Sequence, residues 1–297
     1  MRVTNKMMTD TVSANLFRQA NRLLDAQEVV ATEKIINRPS DDPIAMGKVL
    51  DYRKAISSLN QYQRNVTQGK MWVEHTEVVL DEVNGLLRQA KEIAIAQSEG
   101  TSERDDRATA AEQVKNIYDQ VMQLANTKLG ARYMFAGHQT DTVPFTHDAA
   151  YNATYHGDAG EIQIILGENT DLAVNVDGVQ VFDNGTDTFD VLRQLKDALE
   201  NPVYNQADIS NQVQPLVGAG TQVESVRSES ATNYTRLELT ESQLEILKLN
   251  VENMLSRTQD ADMAEAIINL KNEETAYETA LAAAARVIQP SLINFLG

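Results

Sequence analysis

Apolar residues fall on a seven-residue grid over an unusual length of this chain. Ala45, Tyr52, Leu59, Val66, Val73, Leu80, Leu87 and Ala94 recur at strict seven-residue intervals with no polar interruption. From Trp72 a second stripe runs beside the first, through Val79, Val83, Leu86, Ala90 and Ile93. Such a repeat predicts one long helix packed nearly parallel to its neighbours, because the spacing keeps one seam facing a partner over many turns. Between Pro43 and Gln97, at ~1.5 Å per residue, that helix is roughly 80 Å long. Its start is marked by Asp42 as N-cap and Pro43 at the first helical position, where a missing N–H costs nothing. Its end is expected at Ser98-Glu99-Gly100.

Other helices flank it. A first one carries Leu16, Ala20, Leu23 and Val30, with Phe17, Leu24 and Ala31 beside them. A third is expected to open at Ser102, with Asp105 at capping-box spacing. Its apolar face is Ala111, Val114, Tyr118, Val121 and Ala125, flanked by Ile117 and Leu124. From about Gly137 to Val181 the helical period is lost. Ile162, Ile164 and Leu166 alternate with Gln163 and Ile165, and Leu172, Val174 and Val176 alternate with polar partners. Asp177-Gly178 then reads as a two-residue hairpin turn leading to Val179 and Val181, and Asn152 to His156 as a further strand. A short helix with Phe189, Leu192, Leu195 and Leu199 closes this part near Asn201-Pro202.

Helical patterning resumes at Ile209, Val213 and Leu216, with Pro215, Gly218 and Gly220 expected to kink or interrupt it. Val226, Leu237, Leu244, Leu247, Val251 and Met254 form the next stripe, with Ser230, Asn233 and Thr240 at seam positions. After Asp260 to Asp262 a last stripe reads Ile267, Leu270, Tyr277, Leu281, Ala284, Ile288, Leu292 and Phe295. The expected fold is mainly α: a long coiled-coil-like helical bundle built from the N- and C-terminal segments, with a small β-rich inserted domain. The divisions are 1–136, 137–206 and 207–297.

Composition narrows the function. The formal net charge is −17, and cysteine is absent. An acidic balance argues against nucleic acid, whose binding rests on clustered Lys and Arg, and there is no polybasic stretch to meet an anionic membrane. Absence of cysteine removes disulfides, thiolate catalysis and Cys-based zinc sites together. No run approaches the ~18 apolar residues needed to cross a bilayer, so membrane insertion is not expected. Met1 to Asp10 lack the apolar core of a cleaved secretory signal.

Candidate chemistry is sparse. Asp41 and Asp42 are adjacent, but residues side by side on a turn seldom aim at one substrate, and turn formation with capping accounts for both. His138, His147 and His156 lie nine residues apart near Asp141, Asp148 and Asp158. A metal would need imidazoles converging at ~2.0–2.1 Å, and the spacing puts them on no common face. Trp72 sits within an apolar stripe, which makes it a core residue before a stacking platform. Arg38, on a turn between helices, is placed to meet a carboxylate of its own chain or of a neighbouring subunit. No catalytic, cofactor or metal residue is assigned. The reading from another class is a coiled-coil hydrolase or metal-dependent enzyme that uses the histidines.

Several segments carry a resemblance. They are Asn37-Arg38-Pro39-Ser40-Asp41-Asp42-Pro43 after the first helix, Tyr133-Met134-Phe135-Ala136-Gly137 at the edge of the insert, Asp260-Ala261-Asp262-Met263-Ala264-Glu265, Tyr277-Glu278-Thr279-Ala280-Leu281, and Ser291-Leu292-Ile293-Asn294-Phe295-Leu296. Together they resemble the flagellin superfamily over roughly residues 1–137 and 207–297. The proline-bearing turn is closer to the hook-associated protein 3 branch than to the flagellins, which usually have Ala in place of the prolines. The resemblance implies an extracellular structural subunit of the bacterial flagellum at the hook–filament junction. It implies export through the flagellar type III apparatus with an export chaperone, and a homo-oligomeric ring between hook-associated protein 1 and flagellin. A short flagellin forming the filament itself is the alternative. The resemblance further implies that the extreme termini are disordered in the monomer and become helical on assembly, through Leu16, Leu23, Val30, Leu281, Ile288, Leu292, Phe295 and Leu296. Their apolar stripes have no evident intramolecular core to require them, which suits folding coupled to polymerisation.

Overall fold

The computed structural model describes residues 5–99 and 103–296, with side chains described for 7–99 and 103–286. Its helices are α1 (Asn5–Thr32), α2 (Pro43–Gln97), α3 (Arg104–Ala125), α4 (Gly178–Phe182), α5 (Thr188–Glu200), α6 (Gln206–Ser210), α7 (Val213–Gln259) and α8 (Met263–Leu296). Six short strands lie between α3 and α4: β1 (Lys128–Leu129), β2 (Arg132–Tyr133), β3 (Phe145–His147), β4 (Ala153–Tyr155), β5 (Gln163–Gly167) and β6 (Thr170–Ala173). They pair in sequence order as three separate antiparallel hairpins, β1 with β2, β3 with β4 and β5 with β6. The protein is therefore mainly α with a small strand-containing insert, as the patterning predicts. The chain forms two compact units. One comprises the segments up to Ser58 and from Leu247 onward, and the other runs from Leu59 to Ile246.

The second unit holds the large core. Both α2 stripes face it: Val66, Val73, Leu80, Leu87 and Ala94 from the first, and Trp72, Val79, Val83, Leu86 and Ala90 from the second, are all buried. They join Val114, Tyr118 and Val121 of α3, Leu192, Leu195 and Leu199 of α5, and Leu216, Val223, Val226, Leu237 and Leu244 of α7 in one continuous cluster. Trp72 is thus a core residue. Polar links fix the α2–α7 pairing. Arg227 donates to Glu77 Oε1 from Nε at 3.0 Å and from a terminal nitrogen at 2.6 Å, and Lys70 pairs with Glu241 at 2.7 Å. Ser230 is buried at the seam, whereas Asn233 and Thr240 are half-buried.

The insert has no separate core. Phe145, Phe182 and Phe189 pack ring against ring, and Tyr118 of α3 meets Phe189 and Tyr151 edge-on, the orientation that aromatic quadrupoles favour. The β5–β6 hairpin sets Ile164 opposite Leu172 and turns Ile165 outward, as the alternation predicts. It rests on α2 at Gly69, where an added Cβ would fall inside the Ile164 side chain. Asn65 on the same helix donates to the Ile165 carbonyl at 2.7 Å.

Several expectations are corrected. Asp177-Gly178 is not a hairpin turn. The Asp177 carboxylate accepts from the Gln180 amide at 2.8 Å and N-caps α4, so Val179 and Val181 are helical. Gly178 is required because a Cβ there would strike the Phe145 and Tyr155 rings; close packing, not a positive φ, selects glycine. The hairpin turn lies instead between Gly167 and Thr170. The N-cap position of α3 is Glu103, whose side chain makes no cap hydrogen bond; Ser102 lies outside the described residues. Ile209 belongs to α6, and α7 then runs unbroken through Pro215, Gly218 and Gly220. Pro215 is the third residue of α7, within the first turn, where no intrahelical donor is lost.

The first unit is built differently. α1 and α8 pack along each other. Gln19 donates to Glu273, while Ile35 N reaches Gln259 O at 2.8 Å and Ala261 N reaches Glu33 O at 2.9 Å. As the position rises from Gln19 through Glu33 to Ile35, its partner falls from Glu273 through Ala261 to Gln259, so the two terminal segments run antiparallel. The first and last helices are thus each other's intramolecular partner, although no described side chain of α1 becomes fully buried in the pairing. A small cluster of Ile36, Met46 and Val49, with Ala45 and Leu255 against it, is the buried centre of this unit.

The core assignment gives a direct test. Leu86→Asp should destabilise the chain by several kcal/mol, roughly the cost of burying an unpaired carboxylate. Ile165→Asp, on the outward face of β5, should leave the urea midpoint nearly unchanged. Equal midpoints for the two variants would refute the α2 core face.

Candidate assembly interface

The segment joining α1 to α2 is a knot of local hydrogen bonds. α1 ends at Thr32, and Glu33 adopts a left-handed φ of 59°, the usual way to leave a helix. The Asn37 side chain donates to Thr32 Oγ1 at 3.0 Å and to the Lys34 carbonyl at 3.1 Å. Asp41 closes the next turn: its Oδ2 accepts from Arg38 N at 2.7 Å and Asn37 N at 2.9 Å, while its own N–H donates to the Arg38 carbonyl at 3.1 Å. Those amides, Arg38 first, hold the Asp41 carboxyl below the usual carboxylate range. Pro39 occupies the second position of this turn, where its fixed φ is already correct. Asp42 then N-caps α2, accepting from Ile44 N and Ala45 N, both at 2.9 Å, with Pro43 at the first helical position. The two aspartates thus have separate backbone duties. Within the single chain Arg38 pairs with Glu28 at 2.6 Å, with its side chain still largely exposed.

Gln259 locks this turn to the other terminal segment, and nothing in the sequence pattern marks it. It is 3% exposed. Its Nε2 donates to the Ile36 carbonyl at 3.0 Å, its Oε1 accepts from Arg53 at 3.2 Å, and its backbone carbonyl accepts from Ile35 N. Beside it Lys34 and Asp260 form an isolated antiparallel bridge. Asp262 accepts from Ala264 N at 2.9 Å and caps α8. The Asp260–Glu265 segment is therefore a helix break and restart matched to the turn at 33–42.

Beyond the knot, the helices are thinly covered. No described side chain of α1 is fully buried: Leu16, Leu23 and Val30 are half-buried, while Phe17 and Leu24 are 68% and 60% exposed. On α8, Ala266 and Ala284 are buried, but Ile267, Ile268 and Leu281 are exposed. The side chains of Ile288, Leu292, Phe295 and Leu296 lie outside the described residues. By contrast, nine residues of the shorter α3 are buried.

The other sequence motif, Tyr133–Gly137, plugs the insert into its helical base. Met134, Phe135 and Ala136 are buried. The Phe135 carbonyl accepts from Tyr155 Oη and from Gly178 N, each at 2.9 Å, and burial pushes the Tyr155 phenol up to about 12. Gly137 has φ 65°, and a Cβ there would overlap Asp158. Tyr133 lies under Lys128, whose Nζ is 4.2 Å from the ring centre.

The histidines do not converge. His138 Nε2 meets the Glu161 carbonyl, His156 Nε2 meets Thr146 Oγ1, and His147 stacks on Tyr151 at 5.0 Å. Among the described residues no group of three or more His, Cys, Asp or Glu is placed to hold a metal ion, and no helix is long and apolar enough to cross a membrane.

Comparison with known proteins follows the same segments. The family model of the bacterial flagellin N-terminal helical region matches residues 3–140, and that of the C-terminal helical region matches 213–296. Flagellar hook-associated protein 3 of Escherichia coli (strain K12) is 27% identical over 301 residues, covering 94% of each chain. The Salmonella typhimurium protein of that name is 30% identical over 187 residues, 63% of this chain and 58% of that one. The solved structure of flagellar hook associated protein-3 from Legionella pneumophila shares the fold, with a TM-score of 0.63 and 15% identity, covering 69% of this chain and 97% of that one.

Removing the Gln259 side chain tests the knot. Gln259→Ala leaves the Ile36 carbonyl and Arg53 without that partner and should cost about 1–3 kcal/mol in urea unfolding. An unchanged midpoint would show that the turn holds without it.

Proposed function

The chain belongs to the bacterial flagellin family, and on that premise we propose that it is a structural subunit of the flagellum placed at the hook–filament junction. The carrying observation is the match along nearly the whole chain to a protein named flagellar hook-associated protein 3. The geometry supports a structural rather than a chemical role. The polar side chains of its motifs are spent on turns, caps and helix locks, and the histidines face separate partners.

In this reading the subunit leaves the cell through the flagellar type III apparatus with an export chaperone. It closes a homo-oligomeric ring outside the cell, between hook-associated protein 1 and the first flagellin subunits. Residues 1–136 and 207–297 supply the assembling core, and 137–206 the outer insert. The alternative, a short flagellin that forms the filament, draws on the name of the family models; the pairing with a hook-associated protein over 94% of both chains favours the junction.

The sparse burial along α1 supports folding on assembly. Ordering a residue costs about 1–2 kcal/mol of backbone entropy, and half-buried Leu16, Leu23 and Val30 offset little of it. In the polymer, neighbouring subunits would cover Phe17, Leu24, Ile267, Ile268 and Leu281, together with the last turns of α8 that carry Ile288, Leu292, Phe295 and Leu296.

Two measurements test this. Cells lacking the chain should keep hooks and release unpolymerised flagellin into the medium; filaments of normal length on such cells would exclude the junction role. In the purified monomer, amides of residues 10–30 and 275–295 should exchange far faster than those of α3. Strong protection there would overturn coupled folding without touching the junction role.

A further inference from the structure

The chain contains two Asn-Gly pairs, Asn84-Gly85 and Asn184-Gly185. Covalently they are equivalent. The glycine has no Cβ to shield its amide nitrogen, which can approach the Asn side-chain carbonyl carbon if the backbone is free to turn.

The fold separates them. Asn84 lies inside α2, is 4% exposed, and donates to Glu224 at 2.6 Å. The helix also commits the Gly85 amide to its backbone ladder. Asn184 lies in the exposed link between α4 and α5, and Gly185, at φ 95°, has open space around it. The link is pinned on both sides by one residue of α7: Gln222 donates to the Val181 carbonyl at 2.9 Å and accepts from Thr186 N at 3.3 Å. Between those pins, neither the Asn184 carboxamide nor the Gly185 amide makes a hydrogen bond within the described chain.

We propose that Asn184 is a site of spontaneous covalent modification by deamidation, and that Asn84 is protected from it by the fold. The Gly185 amide nitrogen loses its proton to solvent base and attacks Asn184 Cγ. The N–Cγ bond forms, the Cγ–Nδ2 bond breaks, and the side-chain nitrogen takes up a proton and leaves as ammonia. Water then opens the five-membered imide at either carbonyl, giving aspartate or isoaspartate. Water is the only co-reactant, and no atom changes oxidation state. Each event adds a negative charge beside Asp183 and Asp187. The isoaspartate product also routes the backbone through an extra methylene between the two Gln222 pins.

The experiment is incubation of the full-length native chain in mildly alkaline buffer, followed by peptide mapping and enzymatic methylation of isoaspartate. The Asn184 peptide should gain acid and isoaspartate forms at least an order of magnitude faster than the Asn84 peptide. In urea the two rates should converge, because only the fold distinguishes the sites. Asn184→Gln, whose longer side chain would require a larger ring, should remove nearly all isoaspartate from the native protein. Equal rates in the native chain, or an Asn184 that stays intact while both sites react in urea, would overturn the proposal.

Discussion

Covering α2 is the constraint that shapes this molecule. Its two apolar stripes need partners along most of 55 residues, and the chain provides them unevenly. From Val66 to Ala94 the first stripe is buried at every step, beneath α3, α7 and the aromatic insert. Earlier on the same stripe, Ala45, Tyr52 and Leu59 remain half-buried. Around Ala45 the buried centre shrinks to Ile36, Met46 and Val49, and side-chain and backbone hydrogen bonds do much of the work that apolar contact does elsewhere. Where hydrophobic burial is thin, Gln259, Asn37, Asp41 and Asp42 set the geometry.

That gradient links fold to function. A helix pair such as α1–α8, with no fully buried side chain described on α1, gains little from water exclusion within one chain. Burial is dense between Leu59 and Ile246 and sparse along α1. In the proposed assembly, the missing apolar contact would come from copies and neighbours instead of from the chain itself.

Much of the fold was legible in the sequence wherever periodicity ran long. The α2 stripes, the inner faces of α3 and α5, the Asp42 cap and the outward turn of Ile165 all follow from spacing. The failures share a cause. Asp177-Gly178 has the residues of a hairpin, but the rings that make glycine necessary there, Phe145 and Tyr155, are distant in sequence. Gln259 is a polar residue at the end of a long helix, and its partners Ile36 and Arg53 are more than 200 positions away. Pro215 misleads because its effect depends on where α7 begins, and a short helix ending at Ser210 moves that start. The turn motif 37–43 was visible as a motif, but the duty of each residue was not. Two adjacent carboxylates, one closing a turn and one capping a helix, differ only in which amides the backbone brings to them.

Gly69 and Gly137 bear on how the insert is held to its base. At Gly69 the insert hairpin sits in a notch one side chain deep, and at Gly137 the chain passes flush against Asp158. The insert is keyed to its base by a few fitted points, Ile164 and the buried Met134–Ala136 segment among them. A different insert could be carried on the same base if those points were kept. A methyl group added at residue 69 would have to displace the tip of Ile164 from its seat on α2.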